Sequence, residues 1–199
     1  MNDILFHIHS KFSFDSQMEP EKIVREVKRL GYRGVAIVDH GSIQGGLEAK
    51  KFAPADFQVV VGGEYRSEYG DIIGMGLKKN ITATKARDII SEIKSQGGKV
   101  VWAHPFRTYL LPRGKGRRKP LPPEDFIKSL DYIETYNAQT RPSQNALAIK
   151  AAKKFKIDQI AGLDAHFYFE IKKIDSNNYN IFGYIGTFFS KIFRVGGAK

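Results

Sequence analysis

Short apolar runs alternate with amphipathic stretches along most of this chain. The apolar runs are typical of strands covered on both faces, and they lie at residues 4–9, 35–38, 57–61, 71–77, 99–103, 132–136 and 159–163. Apolar residues at helical spacing lie between them, at residues 19–30, 82–96 and 143–155, with shorter helices predicted after Gly46 and at 122–130. The alternation predicts an α/β fold.

Parallel strands with covering helices close into barrels or form open sheets. The runs at 57–61 and 71–77 leave no room for a helix between them, so we expect a hairpin there. The chain has 199 residues and no recognisable linker, which predicts a single domain over 1–199. Apolar residues at helical spacing in 180–195 predict a C-terminal helix that docks onto the body. A membrane-surface or dimerising helix is the alternative.

The five histidines all lie at the ends of predicted strands. His7 and His9 are two positions apart in one strand, so their side chains are expected on the same face. His40, His104 and His166 follow later runs. In a (β/α) barrel the C-terminal ends of the strands form one rim, where the chemistry collects. The same rule places three carboxylates there: Asp39, Glu64 and Asp164.

The residue types at this rim are those that bind divalent metal ions. The chain has no cysteine, so an ion would be held by imidazole and carboxylate groups. The candidate ligands are His7, His9, Asp15, His40, Glu64, His104, Asp164 and His166. They are too many for one tetrahedral ion and fit two or three divalent ions; Zn, Mn and Fe are the candidates, and the ligand types do not select among them. The alternative is a set of structural histidines satisfied by backbone partners.

Adjacent metal ions indicate a hydrolase rather than an oxidoreductase. Such ions polarise a phosphoryl oxygen, generate a hydroxide near neutral pH and stabilise the leaving oxygen. The formal net charge of +11 favours an anionic substrate, either a phosphate ester or a nucleic acid. A basic surface that only keeps the protein in solution explains the charge equally simply. With neither a signal peptide nor an apolar run long enough to cross a membrane, we expect a cytoplasmic protein with no membrane partner.

Several segments resemble motifs of the PHP (polymerase and histidinol phosphatase) superfamily. They read FHIHSKFSFDS from Phe6, IVDHG from Ile37, GGE from Gly62, AHPFR from Ala103, and IETYN and GLDAHF from Ile133 and Gly162. The resemblance covers residues 5–170. It implies a distorted TIM-like (β/α)7 barrel with the metal site at the C-terminal ends of the strands. It also implies a stand-alone phosphoesterase that hydrolyses phosphomonoesters or phosphodiesters, often of nucleotides or nucleic acids.

The resemblance also implies how the ligands divide among up to three ions. His7, His9, Glu64 and Asp164 would hold the first ion, Glu64 and His104 the second, and Asp15, His40 and His166 the third. Some relatives have a further histidine ligand where this chain has Asp71, which we expect to be a ligand or to orient one. A solvent-facing Asp71 is the alternative.

Three residues are predicted to assist the reaction. Asp39 would orient a ligand from behind, and Arg107 would bind a substrate phosphate through two hydrogen bonds. His166, or a bound water, would protonate the leaving group. A structural Arg107 is equally compatible with the sequence. The aromatic residues Phe106, Tyr109 and Phe167 near the rim are interpreted as packing residues, and stacking on a base is the alternative.

Two other functions are compatible with the same residues. One is a nucleic-acid-binding PHP module without catalysis, favoured by the net charge and by a basic loop at 113–119. The other is a metal-dependent amidohydrolase, because those barrels also begin with His-x-His. The position of Glu64 and the sequence Asp164-Ala165-His166 favour the phosphoesterase. Substrate identity and oligomeric state are left open by the sequence.

Overall fold

The computed structural model of the protein describes residues 2–108 and 122–176. The strands are β1 (Asn2–Ile8), β2 (Tyr32–His40), β3 (Gln58–Ser67), β4 (Gly70–Met75), β5 (Lys99–Trp102), β6 (Tyr132–Asn137) and β7 (Asp158–Gly162). The helices are α1 (Pro20–Arg29), α2 (Gln44–Phe52), α3 (Ala86–Ser95), α4 (Glu124–Lys128), α5 (Pro142–Phe155) and α6 (Tyr168–Ser176). Strands and helices alternate, apart from the β3–β4 hairpin.

The seven strands form one sheet in sequence order, β1 to β7. The pairs β1–β2, β2–β3, β5–β6 and β6–β7 are parallel, and β4 is antiparallel to both of its neighbours. Every strand except β4 therefore runs in the same direction, and their C-terminal ends share one rim. The predicted α/β barrel-like fold and the hairpin are confirmed.

The sheet curls until the segment after β7 reaches β1. Three backbone hydrogen bonds join them: Leu163 N to Phe6 O at 3.1 Å, Ala165 N to His7 O at 3.2 Å and His9 N to Ala165 O at 2.9 Å. The contact is an isolated parallel bridge between Ile8 and Ala165, not a full ladder. This seam nearly closes the barrel and leaves it distorted.

The helices cover the sheet with the apolar stripes that the sequence predicts. Ile23, Val24 and Val27 of α1 are buried in one hydrophobic cluster, with β1 and β2. Ile89 and Ile93 of α3 are buried in a second, with β4 and β5. Burying both faces of the sheet in this way explains why its strands read as continuous apolar runs. Within the described part of the chain, no helix has the length and apolarity needed to cross a bilayer.

Some element boundaries differ from the predicted ones. Helix α3 begins at Ala86 instead of 82, because the backbone N–H of Thr82 donates to Glu92 Oε2 at 2.9 Å and Lys85, just before the helix, is extended. Helix α6 follows the last strand and was not predicted. The basic loop at 113–119, Tyr109 and the predicted helix at 180–195 lie outside the described residues. The single domain over 1–199 stays a prediction.

Candidate metal centre

Left-handed backbone conformations bring the candidate ligands to the rim. His7, His104 and Asp164 have φ angles of 66°, 26° and 55°, and Lys156 is the only other non-glycine residue with positive φ within residues 2–108 and 122–176. Such conformations are costly and concentrate at functional sites. At His7 the register of β1 shifts between Leu5 and Ile8. The strand is therefore irregular here and ends at Ile8, yet the rings of His7 and His9 lie 5.2 Å apart and both Nε2 atoms face Glu64 Oε2.

Glu64, on β3, lies at the centre of the cluster. Its Oε2 atom is 3.5 Å from His7 Nε2, 3.4 Å from His9 Nε2 and 3.3 Å from His40 Nδ1. Its Oε1 atom is 3.0 Å from His104 Nε2. The side chain is almost fully buried, so one carboxylate joins four imidazoles.

Asp164 faces Glu64 across the same histidines. Its Oδ1 atom is 3.4 Å from both His7 Nε2 and His9 Nε2. His7, His9 and Asp164 form one group whose ligand atoms all lie within 4.8 Å of one another. Three further groups meet the same criterion: Glu64, Asp71 and His104; His9, Asp15, His40 and His166; and His7, His104 and Glu134. The first two of these three correspond to the second and third ligand sets that the family resemblance implies, with Asp71 and His9 added.

The structure offers a direct test of whether these residues fit metal ions. His7 Nε2, His9 Nε2 and Glu64 Oε2 are buried and have no hydrogen-bond partner in the described part of the chain. Two ligands each about 2.1 Å from one tetrahedral ion lie about 3.4 Å apart. The nitrogen–oxygen distances of 3.3 to 3.5 Å around Glu64 Oε2 match that spacing and are too long for good hydrogen bonds. The donor set therefore fits a divalent ion.

The electrostatics of the buried groups favour a bound cation. Burial alone would lower the pKa of His7, but Glu134, Asp164 and Glu64 raise it well above its ordinary value. Burial would raise the pKa of Glu64, yet His7 and His104 hold it well below its usual range. Burial lowers the pKa of His9 despite the nearby carboxylates. Buried carboxylates that draw protons onto imidazoles are equally suited to metal ions, which supply the same positive charge.

Glu134 was missed as a functional residue by the sequence analysis. It lies in the middle of β6, fully buried, and its Oε1 atom is 2.7 Å from His7 Nδ1. Its Oε2 atom accepts hydrogen bonds from His104 N at 2.8 Å and Asn137 Nδ2 at 3.0 Å. This carboxylate accepts a hydrogen bond from His7 Nδ1 and so directs Nε2 toward Glu64 and Asp164. The available signal was its place in the IETYN motif, as the one acidic residue of β6.

Asp39 lies behind the ligands and does not line the cleft. Its carboxylate accepts hydrogen bonds from Ser10 N at 2.5 Å, Ser10 Oγ at 2.8 Å and Ser13 Oγ at 3.2 Å. Ser13 Oγ in turn accepts from the His40 backbone N–H and contacts His9 Nδ1 at 3.0 Å. These contacts suit a positioning residue that acts on His9 through Ser13.

A cleft of about 650 Å³ opens above the cluster. Its walls include Asp15, His40, Arg107 and His166, and Glu64 and Asp164 lie at its base. Arg107 Nη1 donates a short hydrogen bond to Asp164 Oδ2. The arginine therefore lies in the cleft and reaches the ligand cluster.

Comparison with known proteins identifies the family. A family model for the PHP domain matches residues 6–182. The chain belongs to the PHP domain family. It is 34% identical over 147 residues to the uncharacterized protein MJ1587 of Methanocaldococcus jannaschii, covering 68% of this chain and 81% of that protein. A second protein of that organism, MJ0417, is 26% identical over 83% of this chain and 65% of its own length, so the match spans less than two thirds of that relative.

Solved structures share this PHP fold. A proposed metal-dependent phosphoesterase from Bifidobacterium adolescentis has a TM-score of 0.64 at 16% identity, over 83% of this chain and 88% of that one. A two-domain Bacteroides vulgatus protein with a PHP-like domain has a TM-score of 0.66 at 21% identity, over 82% and 51%. An amidohydrolase from Chromobacterium violaceum, with bound sulfate and no metal, has a TM-score of 0.64 at 15% identity, over 82% and 87%.

Proposed function

We propose that this PHP protein is a metal-dependent hydrolase of phosphate esters, acting on a phosphomonoester or phosphodiester. The observation that carries the proposal is Glu64 Oε2, a buried carboxylate oxygen with no hydrogen-bond partner among the described residues, surrounded by three imidazole nitrogens at 3.3 to 3.5 Å. Two or three divalent ions of Zn, Mn or Fe, when bound, would polarise the phosphoryl oxygen and supply a hydroxide at neutral pH.

The proposed ligands are His7, His9, Asp15, His40, Glu64, His104, Asp164 and His166. Arg107 binds a non-bridging phosphate oxygen from the cleft wall, because its guanidinium already reaches Asp164 at the base. Glu134 holds the ring of His7, and Ser13, itself bonded to Asp39, holds the ring of His9. The Nε2 atoms of both rings therefore stay directed at Glu64. Asp71, 3.9 Å from His104 Nδ1, orients that ring or joins its ligand set.

His166 has two proposed roles that compete for one nitrogen. Its Nδ1 is 3.0 Å from the backbone oxygen of Asp164, so this nitrogen carries the proton and donates. Its Nε2 is 3.2 Å from Asp15 Oδ2 in the third ligand group. A nitrogen that binds an ion has no proton to give. We therefore assign His166 as a ligand and assign protonation of the leaving group to water.

The test is hydrolysis by the purified protein loaded with Mn²⁺ or Zn²⁺. An aryl phosphate and short oligonucleotides cover the phosphomonoester and phosphodiester classes, and an N-acyl amino acid covers the amidohydrolase alternative. We expect phosphate ester turnover that Glu64→Gln abolishes and that Glu21→Gln, an exposed change of equal charge, leaves intact. Bound metal without turnover of either phosphate class would count against the proposal. Salt-sensitive nucleic-acid binding without hydrolysis would favour a non-catalytic module.

A further inference from the structure

Phe14 is the most exposed large apolar side chain among the described residues that line the cleft. Its relative exposure is 88%, although it lies between the cluster residues His9 and Asp15 in the chain. One face of its ring stacks on His40, with centroids 5.1 Å apart and an interplanar angle of 26°. The His40 ring lies in turn 4.5 Å from that of His9. Phe14 therefore forms the outer end of a column of rings that begins in the metal centre.

The exposure of Phe14 does not come from a loosely held loop. Ser13, just before it, is buried and bonded to Asp39 and His40. Ser16 is also buried, and its hydroxyl donates to the backbone oxygens of His9 and His166. Lys11 N donates to Met18 O at 2.8 Å and closes the base of the loop. The backbone on both sides of Phe14 is thus fixed, and the ring is held in the cleft wall.

We propose that Phe14 is a stacking platform for a nucleobase and thus a specificity residue, which selects nucleoside phosphates among the phosphate esters that the family resemblance allows. This inference rests on the proposed phosphoesterase function. Every base offers a flat π face, and an aromatic side chain stacks on it whatever its sequence. The base would lie on the open face of Phe14 while the phosphate lies among Arg107 and the ligand cluster of the same cleft. A sugar phosphate without a base would leave this ring in water.

The experiment compares AMP with ribose 5-phosphate, which carries the same phosphate ester without the base. We measure kcat/KM for both with Mn²⁺-loaded wild type, Phe14→Ala, Phe14→Leu and Phe14→Trp. A 5′-phosphorylated dinucleotide, assayed in parallel, distinguishes a free mononucleotide from the end of a nucleic-acid chain. Phe52→Ala is the matched control, because Phe52 is an exposed phenylalanine on α2 outside the cleft.

We expect wild type to prefer AMP, and Phe14→Ala and Phe14→Leu to lower that preference by about ten- to a hundredfold. Phe14→Trp and Phe52→Ala should retain it. If Phe14 only supports His40, both substrates lose activity by the same factor and the preference is unchanged, which would overturn the inference. Equal use of AMP and ribose 5-phosphate by wild type would also overturn it.

A second readout separates this inference from the proposed function. Saturation-transfer NMR with adenosine, which has a base but no phosphate to hydrolyse, should show contacts to the base protons in wild type and Phe14→Trp. These contacts should be lost in Phe14→Ala. Adenosine contacts that depend on Phe14, without hydrolysis of any phosphate ester, would support the platform and refute the phosphoesterase. Hydrolysis of a phosphate ester without such contacts would support the phosphoesterase and refute the platform.

Discussion

Replacing Glu134 by Gln tests whether this buried carboxylate orients the metal centre. Three donors point at it: His7 Nδ1 at 2.7 Å, His104 N at 2.8 Å and Asn137 Nδ2 at 3.0 Å. A carboxylate accepts all three hydrogen bonds, whereas an amide has one oxygen and one NH2 group. Either orientation of the amide therefore places a donor against a donor.

The two orientations have different consequences. With its NH2 group toward His104 N and Asn137, the amide leaves a buried backbone N–H unsatisfied, which costs about 1–3 kcal/mol of stability. With its NH2 group toward His7, it forces the proton from Nδ1 to Nε2, and the lone pair that faces Glu64 is lost. Loss of such an orienting partner weakens metal binding by about 10- to 100-fold. We expect both the free energy of unfolding and the metal affinity of Glu134→Gln to fall, by at most these amounts.

Two measurements separate these effects. Urea denaturation in EDTA, followed by the fluorescence of Trp102, the one tryptophan of the chain, reports the free energy of unfolding without metal. Competition with a fluorescent chelator for Zn²⁺ or Mn²⁺ reports the affinity. Glu21→Gln is the control, since it removes an equal charge from an exposed position on α1. Metal affinity of Glu134→Gln within twofold of wild type would refute the orienting role.

Two further predictions concern the same cluster. Gly162→Ala places a methyl group against Glu134 Oε1 and 2.8 Å from His7 Cβ. We expect the urea midpoint and the metal affinity both to fall, with about 1–3 kcal/mol lost to overpacking; an unchanged midpoint would contradict the packing described. Burial would lower the pKa values of His7 and His104, but nearby carboxylates raise both, so in the metal-free protein these imidazoles keep their protons to a higher pH than a free histidine does. Metal binding near neutral pH should therefore release protons, measured by calorimetry in buffers of different ionisation enthalpy, and zero release would contradict the raised pKa values.

The sequence predicted the rim because strand ends are easy to locate. Apolar runs followed by His40, Glu64, His104 and Asp164 are visible without coordinates, and a barrel brings such positions together. The direction in which a side chain points cannot be located in the same way. Asp39 precedes His40 and has the same residue type as a ligand, yet Ser10 and Ser13 draw it away from the cleft. No periodicity rule contains that information.

Two other residues show where pattern reasoning fails. Glu134 lies within an apolar run, and its partners His7 and His104 are 127 and 30 positions away, so only the fold explains its burial. Phe14 resembles an ordinary loop aromatic until the hydrogen bonds of Ser13 and Ser16 show how firmly its backbone is held. Long-range hydrogen bonds decide both cases, and a single sequence does not display them.

The seam of the barrel and the metal centre are the same structure. The backbone bonds that join β1 to the segment after β7 involve His7, His9 and Ala165, and Asp164 lies between the donors Leu163 and Ala165. His7 and Asp164 both have left-handed backbones, a strain of about 1–3 kcal/mol each, which persists only where surrounding contacts enforce it. Those contacts are the seam itself and the Glu134 bond to His7. An ion bound by His7, His9 and Asp164 would join the two sides of the seam, so the strain that positions the ligands and the closure of the barrel stabilise each other.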